Sequence, residues 1–144
     1  MFYSNSNIDT AGEFEKRLDA ARRLADADSV ELVADAYDHG DWLREVAAGF
    51  ENEPEKGARC ARCFRYNLSR TAAYAAAHGF DAFATSLTVS PHKVSETVFA
   101  ASGDGRFMKC DFKKRDGFKN SLKRSAQLGL YRQAYCGCEF SRRG

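Results

Sequence analysis

Four of the five cysteines in this 144-residue chain form two close pairs, and their spacing is the first sign of chemistry. Cys60-Ala61-Arg62-Cys63 puts two thiols one turn apart at the start of a segment that reads as a helix. A helix N-terminus and the neighbouring Arg59, Arg62 and Arg65 favour thiolate over thiol. Such a pair suits a zinc site, an iron–sulfur cluster or a redox dithiol; the bland reading is two small buried side chains. Cys136-Gly137-Cys138 closes only a very small ring. A disulfide there is strained and easily reduced, and so short a loop removes little unfolded-state entropy, which argues against a structural staple. A redox pair or a share in a metal site fits better, and all four thiolates together could hold zinc. Cys110, alone in an apolar stretch, reads as core.

Other candidates are less specific. His39, His78 and His92 stand apart and read as structural rather than as ligands. Tyr131-Arg132-Gln133-Ala134-Tyr135, beside the second cysteine pair, interleaves aromatics with a cation and an amide. That mixture suits base stacking and phosphate contact, although aromatics beside a turn equally serve packing.

These residues need a scaffold. Phe14, Leu18, Ala21 and Ala25 line one helical face, with Thr10 as N-cap and Glu13 three residues on. Val30–Ala34 reads as a strand, and Trp42, Val46 and Phe50 mark a short helix. Cys60–Ala77 lacks proline and glycine and reads as the clearest helix. Asp81–Leu87 reads as a strand, Ser90-Pro91 as the cap and first residue of another helix, and Phe107–Phe112 as a last strand. A final helix around Asn120–Leu128 stops at Gly129. Strand–helix alternation predicts an α/β chain, residues 1–144 forming one domain with a mostly parallel sheet. Phe2-Tyr3-Ser4-Asn5 reads as the end of a strand with nothing before it. Gly-rich phosphate-loop patterns are absent.

Composition excludes several classes. Apolar residues make up 44% and charged residues 29%, which fits a folded globular chain rather than a disordered one. No apolar run reaches the ~18–20 residues that span a bilayer, and no leader pattern opens the chain, so a cytoplasmic protein without membrane contact is expected. The net charge of +2 hides a gradient: residues 1–56 hold 14 acidic and 6 basic side chains, residues 106–144 hold 3 and 11. A basic third suits a polyanion such as RNA, or else a solvated basic face.

Taken together, these stretches resemble the epoxyqueuosine reductases of the cobalamin-independent QueH type. Asn5-Ser6-Asn7-Ile8 with Glu13 and Arg17, then Tyr37-Asp38 and Trp42, follow the family's N-terminal pattern. Glu53-Pro54-Glu55-Lys56-Gly57-Ala58-Arg59-Cys60-Ala61-Arg62-Cys63-Phe64 and Thr85-Ser86-Leu87-Thr88-Val89-Ser90-Pro91 with Lys93 match its middle. Asp111-Phe112-Lys113-Lys114 through Gly117-Phe118, and Leu130-Tyr131-Arg132-Gln133-Ala134-Tyr135-Cys136-Gly137-Cys138-Glu139-Phe140-Ser141, match its end.

The resemblance implies the last step of queuosine synthesis in tRNA: two-electron reduction of an epoxide to an alkene with release of water. It implies a Rossmann-like domain, a [4Fe–4S] cluster with Cys60 and Cys63 among its ligands, and a redox-active disulfide between Cys136 and Cys138. Partners would be the tRNA anticodon stem-loop and an unidentified electron donor. Asp111, Lys113, Tyr131 and Arg132 are the expected substrate contacts. The family's first strand ends in an adjacent Cys-Cys pair that completes the ligand set, so the N-terminal strand is expected to be missing here. Asn67 stands where the family carries arginine. The alternatives are a zinc-stabilised RNA-binding module without catalysis, or an inactive fragment of the reductase.

Overall fold

Thr10 opens helix α1 (Ala11–Ala27) as expected, its Oγ1 accepting the Glu13 N–H at 3.4 Å. The Glu13 side chain does not return to the cap; it pairs with Arg17 one turn on, at 2.8 Å. In this computed structural model, which describes residues 1–142, α1 connects two short parallel strands, β1 (Phe2–Tyr3) and β2 (Val33–Ala34). Phe2 is in register with Val33 and Tyr3 with Ala34. Ile8, Phe14 and Leu18 are buried beneath this unit, with Tyr3, Leu32 and Tyr37 packed around them.

After β2 come α2 (His39–Trp42), continued by a π-helical stretch over Leu43–Ala47, then α3 (Ala58–Ala77), α4 (Ser95–Ala100) and α5 (Gly117–Gln127). Helix α3 is the central beam. Its start is capped by the Glu53 carboxylate, which accepts the Ala58 N–H at 3.1 Å. Phe64 and Leu68 pack with Val98 and Ala101 of the α4 region, and with Phe83, Leu87 and Phe107. Burying side chains of this size contributes ~1.5–3 kcal/mol each. A further cluster gathers Trp42, Val46, Ala47 and Cys138. Arg23 of α1 donates to the Leu128 and Gly129 carbonyls, and Arg124 of α5 meets Asp28, so α5 docks through polar contacts and buries no residue fully.

The chain is therefore α/β, with two parallel strands and five α-helices among the described residues. Three expectations need correction. The strand over Asp81–Leu87 and the one over Phe107–Phe112 reduce to one parallel bridge, Phe83 with Phe107. The reason lies in the threonines. Thr85 caps a 3₁₀ turn over Ser86–Val89, and Thr88 Oγ1 donates to the Cys110 carbonyl while accepting the Phe112 N–H. Side chains thus occupy backbone groups that a longer ladder would use. The strand Val30–Ala34 shrinks to Val33–Ala34 at its start, where the Val30 N–H turns back to the Ala25 carbonyl at 2.8 Å and closes the end of α1. Ser90 does not cap a helix at Pro91. Its backbone is extended, as the residue before proline prefers, and its hydroxyl accepts the His92 N–H in a local turn; α4 starts only at Ser95.

Candidate active site

Cys60 and Cys63 occupy the first two turns of α3, in the place the sequence predicts. The Lys56 N–H donates to Cys60 Sγ at 3.3 Å. Arg59 and Arg62 do not serve the thiols as expected. Arg59 is buried and its Nη1 donates to the carbonyls of Phe50, Glu51 and Glu53; Arg62 donates to those of Glu45 and Val46. Arg59 thus holds the loop that precedes α3, and Arg62 holds the π-helical stretch over Leu43–Ala47. Consequently the expected easing of thiol ionisation fails at Cys63: burial pushes its thiol up to about 12, and the nearby Cys136 and Cys138 sulfurs add to the rise. Lys93 opposes it. Asn67, the departure from the family pattern, points its Nδ2 at Cys63 Sγ from 3.7 Å and at Asn7 Oδ1 from 3.3 Å. The buried Trp42 Nε1 has no hydrogen-bond acceptor.

The second pair comes to the same place from the far end of the chain. Cys138 lies in the Trp42 cluster, against which Cys63 also packs, and is 8% exposed. Burial raises its thiol, with Ser141 acting against the rise. Cys136 is exposed. Its Sγ lies 2.7 Å from Lys93 Nζ, on the loop that follows Ser90-Pro91. Burial disfavours the Lys93 charge, but the sulfurs of Cys136, Cys63 and Cys60 outweigh that and lift it above the ordinary ammonium range. The Lys93 ammonium also faces the Phe64 ring at 5.4 Å. One cation thus contacts a sulfur of the second pair and lies within electrostatic reach of the first.

The tail that carries Cys136 and Cys138 is held by its main chain. Arg17 donates to the Cys136 and Tyr135 carbonyls at 2.8 and 3.1 Å, with Glu13 fixing its Nε at 2.8 Å. Tyr131 Oη donates to the Glu13 carboxylate at 2.9 Å. Burial works against the Glu13 charge, yet the Arg17 and Tyr131 hydrogen bonds hold its carboxyl below the usual range. The Asp9 N–H donates to the Gly137 carbonyl at 3.0 Å, and Tyr135 Oη to the Asp9 carbonyl at 2.8 Å. Gly137 has φ +141°, and a Cβ there would meet Arg17, Ile8 and Asn7 at 3.1–3.2 Å. The positive φ therefore favours glycine, and the space for a Cβ is tight.

The remaining candidates are placed elsewhere. Asp111 pairs with Lys113 at 3.8 Å, and Lys113 Nζ donates to Ser95 Oγ, two residues beyond Lys93. Arg132 donates to Ser125 Oγ at 3.1 Å on the exposed side of α5. Tyr131 belongs to the Glu13 clamp. His39 bridges the Ser6 carbonyl and Glu139, and His78 stacks on Tyr74. The residues that composition and spacing did not single out are Lys93, Glu13, Arg17 and Trp42 as neighbours of the thiols; only the family pattern drew attention to them.

As a donor set, Cys60 and Cys63 suit two corners of an iron–sulfur cluster: two sulfurs a helical turn apart, with a backbone N–H on Cys60 and the Asn67 amide on Cys63. Among the described residues, no group of three or more His, Cys, Asp or Glu side chains is arranged to hold a metal ion. No helix of the described residues is long and apolar enough to cross a membrane.

Across residues 1–144 the chain matches a family model described as Epoxyqueuosine reductase QueH. Three curated relatives bear that same name. The one from Streptococcus pyogenes serotype M1 is 34% identical over 98% of this chain and 60% of its own length. The one from Dehalococcoides mccartyi is 34% identical, covering 98% of this chain and 77% of the relative. The one from Thermotoga maritima is 33% identical, covering 98% and 78%. The chain therefore spans three fifths of the first relative and about three quarters of the other two.

Proposed function

The chain belongs to the epoxyqueuosine reductase QueH family, and from that premise we propose that it reduces the epoxide of epoxyqueuosine in tRNA to the alkene of queuosine, in the cytoplasm. The observation that carries this reading is the meeting of the two cysteine pairs. Cys63 packs against the cluster that buries Cys138, and Lys93 contacts Cys136. The parallel pairing of β1 with β2 and the parallel Phe83–Phe107 bridge agree with a Rossmann-like domain built on a mostly parallel sheet.

The reaction consumes two electrons and two protons, and releases one water. Cys136 and Cys138 supply both in kind: as the dithiol becomes a disulfide, one S–S bond forms and two electrons and two protons leave. In this reading Cys60 and Cys63 would be two of the ligands of a [4Fe–4S] cluster. Such a group, when bound, supplies electrons singly. The chain's own residues do the rest. The Glu13–Arg17 clamp holds the Cys136 backbone beside α3, the Trp42 cluster keeps water from Cys138, and Lys93 holds the Cys136 sulfur. Of the expected substrate contacts, Asp111 and Lys113 are the ones left to orient the nucleoside, since Lys113 bonds Ser95 near Lys93 while Tyr131 is held by Glu13 and Arg132 by Ser125. The basic residues between Arg106 and Arg132 take the phosphates of the anticodon stem-loop, where nine cations stand against two acids.

The test is anaerobic incubation of the iron-loaded, reduced protein with tRNA carrying epoxyqueuosine, followed by mass analysis of the released nucleoside and metal analysis of the protein. Loss of one oxygen atom with iron in the protein supports the reading. One tightly held zinc, no iron and no change in the nucleoside would favour a zinc-stabilised RNA-binding module instead.

A further inference from the structure

We propose that Lys93 makes Cys136 the sulfur through which a dithiol reductant recharges the Cys136–Cys138 pair, an inference that rests on the redox reading of that pair. The two sulfurs are not equivalent. Cys136 is exposed, whereas Cys138 is 8% exposed and enclosed by Trp42, Val46 and Ala47. An external thiol reaches only the first. Lys93 sharpens the difference, because its ammonium lies 2.7 Å from Cys136 Sγ. A cation at that sulfur draws an incoming thiolate and stabilises a departing one.

The sequence of bonds follows from this asymmetry. Starting from the disulfide, a donor thiolate attacks Cys136 Sγ, the Cys136–Cys138 bond breaks, and the electron pair departs on Cys138, which takes up a proton. The donor's second thiol then attacks the mixed disulfide at the donor sulfur. Cys136 leaves as a thiolate opposite the Lys93 ammonium and is protonated in its turn. The donor has lost two electrons and two protons and become a disulfide; the pair has gained both. Arg17 and the Asp9 N–H hold this loop by the carbonyls of Tyr135, Cys136 and Gly137 and engage neither sulfur.

The exchange runs in either direction, so the order can be read with a disulfide probe on the full chain. Cys138→Ser and Cys136→Ser variants are each treated with 5,5′-dithiobis(2-nitrobenzoate), and adducts are located by peptide mass mapping. The expected result is an adduct at Cys136 forming at least about tenfold faster than one at Cys138. In the Cys138→Ser background, Lys93→Met should slow the Cys136 adduct about tenfold, and Lys93→Arg should restore it to within about threefold. Equal rates at the two cysteines overturn the proposal without any change at Lys93, and so does an unchanged rate in a folded Lys93→Met protein. Because this readout needs no tRNA, a correct exchange order in a protein that leaves the epoxide untouched would count against the reductase reading and support this one.

Discussion

Arg17 holds Cys136 by its backbone: Nη1 of a residue on the first helix donates at 2.8 Å to the carbonyl of a residue in the C-terminal tail. Nε of the same guanidinium is fixed by Glu13, and its Nη2 reaches the Tyr135 carbonyl, so one planar fork joins three partners. The arrangement places a sulfur-bearing loop through its main chain and engages neither sulfur.

Replacing Arg17 by Met removes charge-assisted bonds at a site where the side chain is 10% exposed, and strands the Glu13 carboxylate. The expected loss is about 2 kcal/mol, from the worth of hydrogen bonds to charged groups. It is read from chemical denaturation, together with faster proteolytic cleavage between Leu130 and Cys138. Arg17→Lys keeps the charge but not the fork, and should lose a large part of the same stability.

Gly137→Ala tests the seat of the loop. The φ of +141° and Cβ contacts at 3.1–3.2 Å to Arg17, Ile8 and Asn7 predict a loss of about 1–3 kcal/mol, seen as a lower melting temperature. Alanine at Gly103, where a Cβ meets nothing, should leave melting unchanged and serves as the control.

Two carboxylates set an acid limit on stability. Burial disfavours the Asp35 charge, but the Arg70 and Ser4 hydrogen bonds outweigh it and hold the carboxyl below its ordinary 3.8; Glu13 is held below its ordinary 4.5. Since both values are lowered in the folded state, the unfolded chain binds more protons in the window beneath those ordinary values. Stability is fully present above that window and falls as pH drops through it. Melting temperature should decline from about pH 5 towards about pH 3, and Asp35→Asn should flatten that decline while lowering stability at neutral pH.

Much of this site was legible in the sequence, and the gaps have physical causes. Periodicity places Cys60 and Cys63 at the head of α3, because helices of regular composition depend mainly on local pattern. Thr10 and Gly129 mark helix ends correctly, being local signals as well. The strands expected over Asp81–Leu87 and Phe107–Phe112 do not form because Thr88 serves both segments through its side chain, a contact across 22 and 24 residues that no window contains. Proximity in sequence points the arginines beside Cys60 at the thiols; the carbonyls they serve, of the loop before α3 and of the π-helical stretch, are positioned only by the fold. Lys93 could not be recognised from spacing, since its partner lies 43 residues away.

The central claim is that Cys136 and Cys138 are the pair that gives its electrons to the epoxide. Its most direct test is a single turnover without added reductant: reduced, iron-loaded protein and epoxyqueuosine-containing tRNA are mixed anaerobically, quenched, and both queuosine and the Cys136–Cys138 disulfide are counted by mass. The account predicts one disulfide for each queuosine formed, and no queuosine in the Cys136→Ser variant. Queuosine formed while both cysteines remain thiols, or formed at full rate by Cys136→Ser, would contradict it.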